Sequence, residues 1–320
     1  MKIVTFTPNP AIDLYALTTE KISPNEIAKT TKEEYFPGGK GINISRVLLS
    51  FGFQTTSLFC TAGFNGQKLA NLCREFNIPF SARNIKGETR TNIIFEDIEK
   101  NRYKFNFLPP NTENCTTEEQ SQIAEWIIPH CIKNDILYIG GSLLNGMDSY
   151  FYKYISENIK AKNIKLALDV SSKNIKEAIK TDFKYLKADI SEISPLFDFK
   201  LNKLEDTYSL KDMTNNGKEI IISDSSNGSI LFAEGKIYKA DIDKTVINKN
   251  LCCGCGDSMF AVYLMNRMKN EDILTSFKYA NSAGLACAEA DLYRLANKQS
   301  TEKNLQYINV KEIYITVKEI

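Results

Sequence analysis

The sequence contains one histidine, His130, in 320 residues. Metal sites built from several histidines are excluded, and a Ser-His-Asp triad would have to use that one imidazole. Excess charge of either sign is also missing: 40 Lys plus Arg stand against 39 Asp plus Glu, a formal +1. Nothing in that balance resembles a polyanion-binding surface, so nucleic acid is not an expected partner. No apolar run approaches the ~18 residues a membrane helix needs. The opening Met1-Lys2-Ile3-Val4-Thr5-Phe6 lacks the apolar core and small-residue cleavage site of a secretory signal. The expected setting is the cytoplasm, away from membranes. Internal repeats and low-complexity linkers are absent as well.

Eight cysteines are scattered along the chain. In that compartment they are expected to be reduced and mostly buried. Cys252-Cys253-Gly254-Cys255 has CxxC spacing, but a zinc site would need a second ligand pair, and none has suitable spacing. Other familiar signatures also fail. Gly38-Gly39-Lys40-Gly41 has glycine where a P-loop needs Ser or Thr, and Gly254-x-Gly256 lacks the third glycine of a dinucleotide fingerprint. Gly141-Ser142-Leu143 is not a nucleophile elbow. His130, beside Pro129, reads as an exposed or capping imidazole.

What is present is ordinary globular composition, 43% apolar and 25% charged, and enough chain for one large domain or two modest ones. Short β-rich runs alternate with amphipathic helical stretches. Strands are expected at Lys2–Thr7, Thr55–Thr61, Ile136–Ile139, Lys165–Val170, Tyr185–Leu186 and Glu219–Ser223. Helices are expected at Gly41–Phe51, Gly66–Phe76, from a Thr116-x-x-Glu119 capping box through Trp126, at Ser149–Lys160, Gly256–Met268 and Asp272–Ala290. This alternation predicts an α/β fold, a doubly wound, mostly parallel sheet flanked by helices. Two places break it. Asp13–Leu17 with Ile27–Tyr35, and Thr89–Glu96 with Arg102–Phe107, have strand character without helices between. They are expected to form a small inserted antiparallel β lid. The predicted division is a core of 1–8, 37–86 and 111–320 and a lid of 9–36 and 87–110.

Three motifs carry chemistry. Gly254-Cys255-Gly256-Asp257 precedes an apolar helix. Amides at such a helix start converge on an anion, and Asp257 faces the same spot. It is either a base for a hydroxyl attacking phosphorus or a helix cap. Phe36-Pro37-Gly38-Gly39-Lys40-Gly41-Ile42-Asn43 is a second glycine loop entering a helix. It is a plain turn, or it offers Lys40 and Asn43 to a polyol phosphate. Gly87-Glu88-Thr89-Arg90 uses one of only seven arginines at the base of the lid. Arg90 is there for a surface ion pair or for bidentate phosphate binding.

Together these residues resemble the ribokinase-type (PfkB) carbohydrate kinases, in particular the sugar-phosphate branch of 1-phosphofructokinases and tagatose-6-phosphate kinases. Thr7-Pro8-Asn9-Pro10-Ala11-Ile12-Asp13 is similar to that branch's opening, Gly38 to Asn43 to the first family signature, and Gly254 to Ser258 to the second. The resemblance spans essentially the whole chain. It implies an ATP- and Mg²⁺-dependent phosphotransferase acting on a ketohexose monophosphate. Fructose 1-phosphate comes first and tagatose 6-phosphate second. It also implies roles: Asp257 as base, with Gly254 and the amides of Cys255 and Gly256 as anion hole. Asp13, Gly39 and Asn43 would hold sugar hydroxyls, Lys40 and Arg90 the substrate's phosphate, and Ser142 would line the same cleft. Lys187, Ser223, Gly228 and Asn281 fall on the nucleotide side, Asn281 beside the purine. Asp189 and Glu192 would serve Mg²⁺. A homodimer through the lid is implied too.

The nucleotide-side motifs depart from the family pattern. Lys187-Ala188-Asp189-Ile190-Ser191-Glu192 replaces Lys-Pro-Asn-x-x-Glu. Ser223-Asp224-Ser225-Ser226-Asn227-Gly228 lacks a first glycine, and Cys255 replaces alanine. These departures leave open a non-catalytic or weakly active sugar-phosphate sensor on the same scaffold. A kinase for another phosphosugar, such as fructose 6-phosphate, also stays open.

Overall fold

A computed structural model describes residues 1–109, 114–243, 253–290 and 294–314. Its larger sheet has ten strands. In chain order the strands of the molecule are β1 (Ile3–Thr7), β2 (Ala11–Thr18), β3 (Thr30–Gly38), β4 (Thr55–Thr61), β5 (Phe80–Asn84), β6 (Arg90–Glu96), β7 (Arg102–Phe107), β8 (Ile136–Gly141), β9 (Lys165–Val170), β10 (Tyr185–Asp189), β11 (Glu219–Ser223), β12 (Ser229–Ala233), β13 (Lys236–Ile242) and β14 (Ile308–Ile313). The helices are α1 (Lys40–Ser50), α2 (Gly63–Glu75), α3 (Thr117–Ile127), α4 (Ser149–Lys160), α5 (Ile175–Ala178), α6 (Ile190–Ile193), α7 (Cys255–Met268), α8 (Ile273–Glu289) and α9 (Lys298–Asn304).

The large sheet runs β14-β13-β12-β11-β10-β9-β8-β1-β4-β5. From β11 to β5 every neighbouring pair is parallel. The expected doubly wound architecture is therefore present. Its strands are buried on both faces, so alternate residues feed two cores. Val4, Phe6, Leu137, Ile139, Leu166 and Leu168 pack with α3 and α4 on one side. Ile3, Ile136, Tyr138, Ala167 and Tyr185 pack with α1, α7 and α8 on the other. The expected capping box forms, with Thr116 Oγ1 accepting from Glu119 N and Glu119 accepting from Thr116 N.

Past β11 the sheet turns antiparallel through β12, β13 and β14. Neither that extension nor β5 was among the expected strands. The β12–β13 turn consists of Glu234 and Gly235 alone, both at positive φ (53° and 68°), the geometry of a tight hairpin.

The inserted pieces form a separate four-stranded sheet, β3-β2-β6-β7. Its outer ladders are antiparallel as expected, while the central β2–β6 ladder is parallel. Chain order in the large sheet reverses between β1 and β8. The crevice at the carboxyl ends of strands flanking such a reversal is where α/β sheets bind ligands. Thr7, Gly141, Val170, Asp189 and Ser223 mark that edge. No helix among the described residues is long and apolar enough to cross a membrane.

Candidate active site

Two glycine-led helices meet at this edge. Gly39 caps α1 with φ 123°, and a Cβ there would stand 2.7 Å from Thr7 Cγ2. Gly254 caps α7 with φ 87° in the left-handed region, leaving the first-turn amides open. Asp257 lies in that first turn, buried. Its Oδ2 accepts from Asn43 Nδ2 at 2.8 Å, so the two loops recognised in the sequence join across 214 positions. Burial and the neighbouring Asp169 push the Asp257 carboxyl up to about 6, against the opposing pull of Lys40, Asn43 and Lys187.

Lys40, expected at the substrate's phosphate, is engaged by two carboxylates. Its Nζ lies 2.6 Å from Asp169 Oδ1 and 2.7 Å from Glu192 Oε1. Burial works against its charge, yet the two carboxylates overcome this and hold its pKa above the ordinary lysine value. Lys187 is buried, 3.5 Å from Asp169 Oδ2 and 4.0 Å from Glu192 Oε2, and its Nζ is what a Cβ on Gly256 would strike. The result is an alternating cluster of Lys40, Asp169, Lys187 and Glu192 beside Asp257. Asp169 was missed in the sequence reading. The signal was there, a lone carboxylate closing the otherwise apolar Leu166-Ala167-Leu168 run.

Asp169 Oδ2 is buried and accepts no hydrogen bond. A carboxylate oxygen without a hydrogen bond, paired among the described residues only at 3.5 Å with Lys187, together with Glu192 is a hard donor set of the kind Mg²⁺ takes, one or two carboxylates completed by water and phosphate oxygens. Among the described residues no cluster of three or more His, Cys, Asp or Glu could hold a metal ion without such help. Asp189 is engaged locally: its Oδ1 accepts from Ser191 N, Ser191 Oγ and Glu192 N as the cap of α6. Despite burial, those bonds lower its pKa.

The lid contributes a second chain of contacts. Asp13, on β2, is buried, and its Oδ1 accepts from Asn92 Nδ2 at 2.7 Å. Burial pushes it up to about 6, with Asn92 and Arg90 pulling the other way. Arg90 Nη1 donates to Asn92 Oδ1 at 3.0 Å, and its Nε and Nη2 donate to Asn9 O. Asn9 Nδ2 in turn reaches Ser142 Oγ at 3.4 Å. Asn9 and Asn92, which tie these groups together, were not singled out in the sequence. A cavity of about 860 Å³ opens beside this chain, lined by Asn9, Arg90 and Ser142, with Arg83, Lys86 and Lys173 among the more distant walls. Asp257 is not among its lining residues.

On the nucleotide side, Ser223 ends β11, and Gly228 O accepts from Asp224 N across the following turn. Asn281, expected beside the purine, has both ends of its amide engaged within the protein. It is fully buried; its Oδ1 accepts from Ser229 Oγ and its Nδ2 donates to Phe277 O. The amide ties α8 to β12. Cys255 is disulfide-bonded, which corrects the expectation of a free thiol there. The six other described cysteines are free, and Cys252 lies outside the described residues. His130 packs edge-on against Trp126, away from this chemistry.

Comparison with known proteins shows the family and the fold. The model of the pfkB family carbohydrate kinases matches residues 9–296. A 1-phosphofructokinase of Bacillus subtilis is 24% identical over 314 residues, covering 97% of this chain and 100% of the relative. A D-tagatose-1-phosphate kinase of Bacillus licheniformis is 27% identical over 285 residues, covering 88% and 91%. The crystal structure of phosphofructokinase-2 from Escherichia coli in complex with potassium superposes with a TM-score of 0.86 at 22% identity, covering 96% of this chain and 98% of that one.

Proposed function

The chain belongs to the pfkB family of carbohydrate kinases, and on that premise we propose that it phosphorylates a ketohexose monophosphate. The γ-phosphoryl group of ATP passes to the acceptor's free primary hydroxyl, giving a bisphosphate and ADP. Fructose 1-phosphate is the first choice of acceptor and tagatose 6-phosphate the second. The names of the two Bacillus relatives support a ketohexose already phosphorylated at one end.

One observation carries the reading: a buried carboxylate, Asp257, held by Asn43 at a helix start and flanked by Lys40 and Lys187. With its pKa raised to about 6, Asp257 stays ionised at neutral pH yet is a stronger base than an ordinary aspartate. It takes the proton of the acceptor hydroxyl. The amides of Cys255 and Gly256, with the Lys187 ammonium, meet the charge on the transferring group. Asp13 and Asn43 orient sugar hydroxyls over Gly39, and Arg90 and Ser142 hold the phosphate already on the sugar. Ser223 and Gly228 border the nucleotide phosphates. Bound Mg²⁺ supplies neutralisation of phosphate charge. Asp169 and Glu192 would hold it, with Asp189 reaching it through solvent. Lys40 keeps those two carboxylates in place and adds positive field.

The lid, residues 9–36 and 87–110 in this reading, closes over the sugar and excludes water. It also pairs with a second copy. Phe95, Phe105 and Phe107 form a run of ring contacts, and Phe105, Phe107 and Leu108 are 47%, 55% and 70% exposed. An apolar sheet face of that kind suits a partner lid. A concentration-independent monomer in light scattering would refute the pairing.

The activity is tested by an acceptor panel of fructose 1-phosphate, tagatose 6-phosphate and fructose 6-phosphate with parent and Asp257→Asn enzymes. Turnover with a ketohexose monophosphate that the substitution abolishes is the expected result. Parent-like turnover by Asp257→Asn removes the base. Sugar-phosphate binding without ATP binding in calorimetry with Mg²⁺ favours the sensor instead.

A further inference from the structure

The contact that holds Asp257 depends on which way the Asn43 amide faces. Its Nδ2 donates to Asp257 Oδ2 at 2.8 Å, while its Oδ1 accepts from Arg46 Nη1 at 3.3 Å. Turned over, the amide would aim its oxygen at the carboxylate and its NH₂ at the guanidinium, replacing two attractive contacts by two repulsive ones. Arg46 is one turn along α1 from Asn43, within the i, i+3 reach of a helix face. Two rings flank its guanidinium. The guanidinium carbon lies 5.1 Å from the Phe76 ring centroid at the end of α2 and 5.8 Å from that of Phe36 on the lid strand β3. The rings themselves meet at 5.9 Å.

We propose that Arg46 is a positioning residue for the base: clamped between Phe36 and Phe76, it holds the Asn43 amide in the orientation that donates to Asp257. The proposal rests on the reading of Asp257 as base. Arg46 touches no reacting group in it and acts only through Asn43 and its own positive field. Because Phe36 belongs to the lid, the clamp also joins lid to base. Among the described residues the other titratable groups around Asp257 include Asp169 from β9, Lys40 from α1, Lys187 from β10, Asp13 from β2, Tyr138 from β8, Cys287 from α8 and Cys253 before α7.

The experiment measures kcat against pH for the full chain with saturating MgATP and the best acceptor of the panel. Parent, Arg46→Met, Arg46→Lys and Asp257→Asn are compared. Methionine keeps the stem between the rings and removes the fork and charge. Its kcat should fall roughly tenfold with KM for ATP kept within about twofold. Its acid limb should move upward by roughly half a pH unit, since both lost effects favoured the ionised carboxylate. Lysine returns the charge and should restore most of the limb shift. Parent-like kcat and an unmoved limb in Arg46→Met overturn the proposal. So does a uniform loss at every pH, which is what damaged packing alone would give. If Arg46→Met does not fold, Arg46→Gln is read by the same two criteria. Parent activity in Asp257→Asn removes the base assignment itself, whatever Arg46 does.

Discussion

A methyl group at position 256 would stand 2.6 Å from Lys187 Nζ and 3.0 Å from Lys187 Cε. The substitution Gly256→Ala therefore sets the anion hole against the fold. Gly256 is the second residue of α7 and has no positive φ, so its backbone accepts alanine. Alanine is the better helix former by up to about 1 kcal/mol, somewhat less in a first turn. What must give is the far end of a flexible lysine. Ordinary contact distance requires the ammonium to retreat by about 1 Å. It retreats from a place 3.5 Å from Asp169 Oδ2 and 4.0 Å from Glu192 Oε2, where it faces the first turn of α7. A displacement of about 1 Å in a positioned group costs on the order of a hundredfold in rate, and losing one donor to a developing oxyanion costs about 3 kcal/mol, which agrees. The expected result is a kcat lowered about a hundredfold with a melting temperature equal to or above the parent's. Coupled detection of ADP release gives the first, and a thermal melt gives the second. A kcat within about threefold of the parent would show that Lys187 does not serve the transferred group. A melting temperature several degrees lower would show that the space was needed by the fold.

The pKa of Asp257, raised to about 6, gives two linked expectations. In kinetics, kcat falls as pH drops through about 6 because the base takes up a proton. In stability the sign runs the other way: the native state binds that proton more tightly than the unfolded chain, so the penalty is full above pH 6 and relieved as pH falls toward 4. Asp257→Asn is thus inactive yet more stable at pH 8, by about 2 to 3 kcal/mol, in denaturant titration; a destabilised variant would contradict the burial argument. Arg90→Lys keeps a charge but loses the fork that bonds Asn9 O and Asn92 Oδ1. KM for the sugar phosphate should rise about tenfold with kcat little changed, and a loss confined to kcat would remove Arg90 from acceptor binding.

What the sequence made legible was local. The periodicity of Ile44, Val47 and Leu48 placed α1, and the Thr116 capping box placed α3, because both signals lie within a few turns of one helix. The two glycine loops were legible for the same reason. β12 and β13 carry a local signal as well, since Glu234-Gly235 sits between two apolar runs as a two-residue turn. The parallel register of β2 on β6 is a different matter. Seventy-nine positions separate Asp13 from Asn92, and only the pairing of β2 with β6 sets them side by side. Asn281 shows the opposite error: a polar residue in a helix invites a ligand, but Ser229, 52 positions away, already satisfies it.

Lys40 shows how the distant partners change the chemistry. Read alone in a glycine loop it is a free cation waiting for a phosphate. Its carboxylates lie 129 and 152 positions away, and with them present the charge is no longer surplus. Lys40 and Lys187 carry two positive charges; Asp169, Glu192 and ionised Asp257 carry three negative ones. Among these five side chains the carboxylates outnumber the ammonium groups by one, in a chain whose overall charge is +1. Two phosphorylated substrates cannot bind beside this cluster on lysine charge alone, because each approaching phosphate meets carboxylates as well as ammonium groups. Arg90, which the proposed reading gives to the sugar phosphate, bonds Asn92 and Asn9 outside this cluster and leaves its charge count unaltered. In the proposed reading further positive charge arrives with the nucleotide as Mg²⁺. Asp169 Oδ2, which accepts no hydrogen bond and among the described residues has only the Lys187 ammonium at 3.5 Å, is where the protein would meet it. In the proposed reading Lys40 holds the two carboxylates in place between turnovers, while Lys187, buried against Asp169, also faces the first turn of α7 where the transferred group would lie.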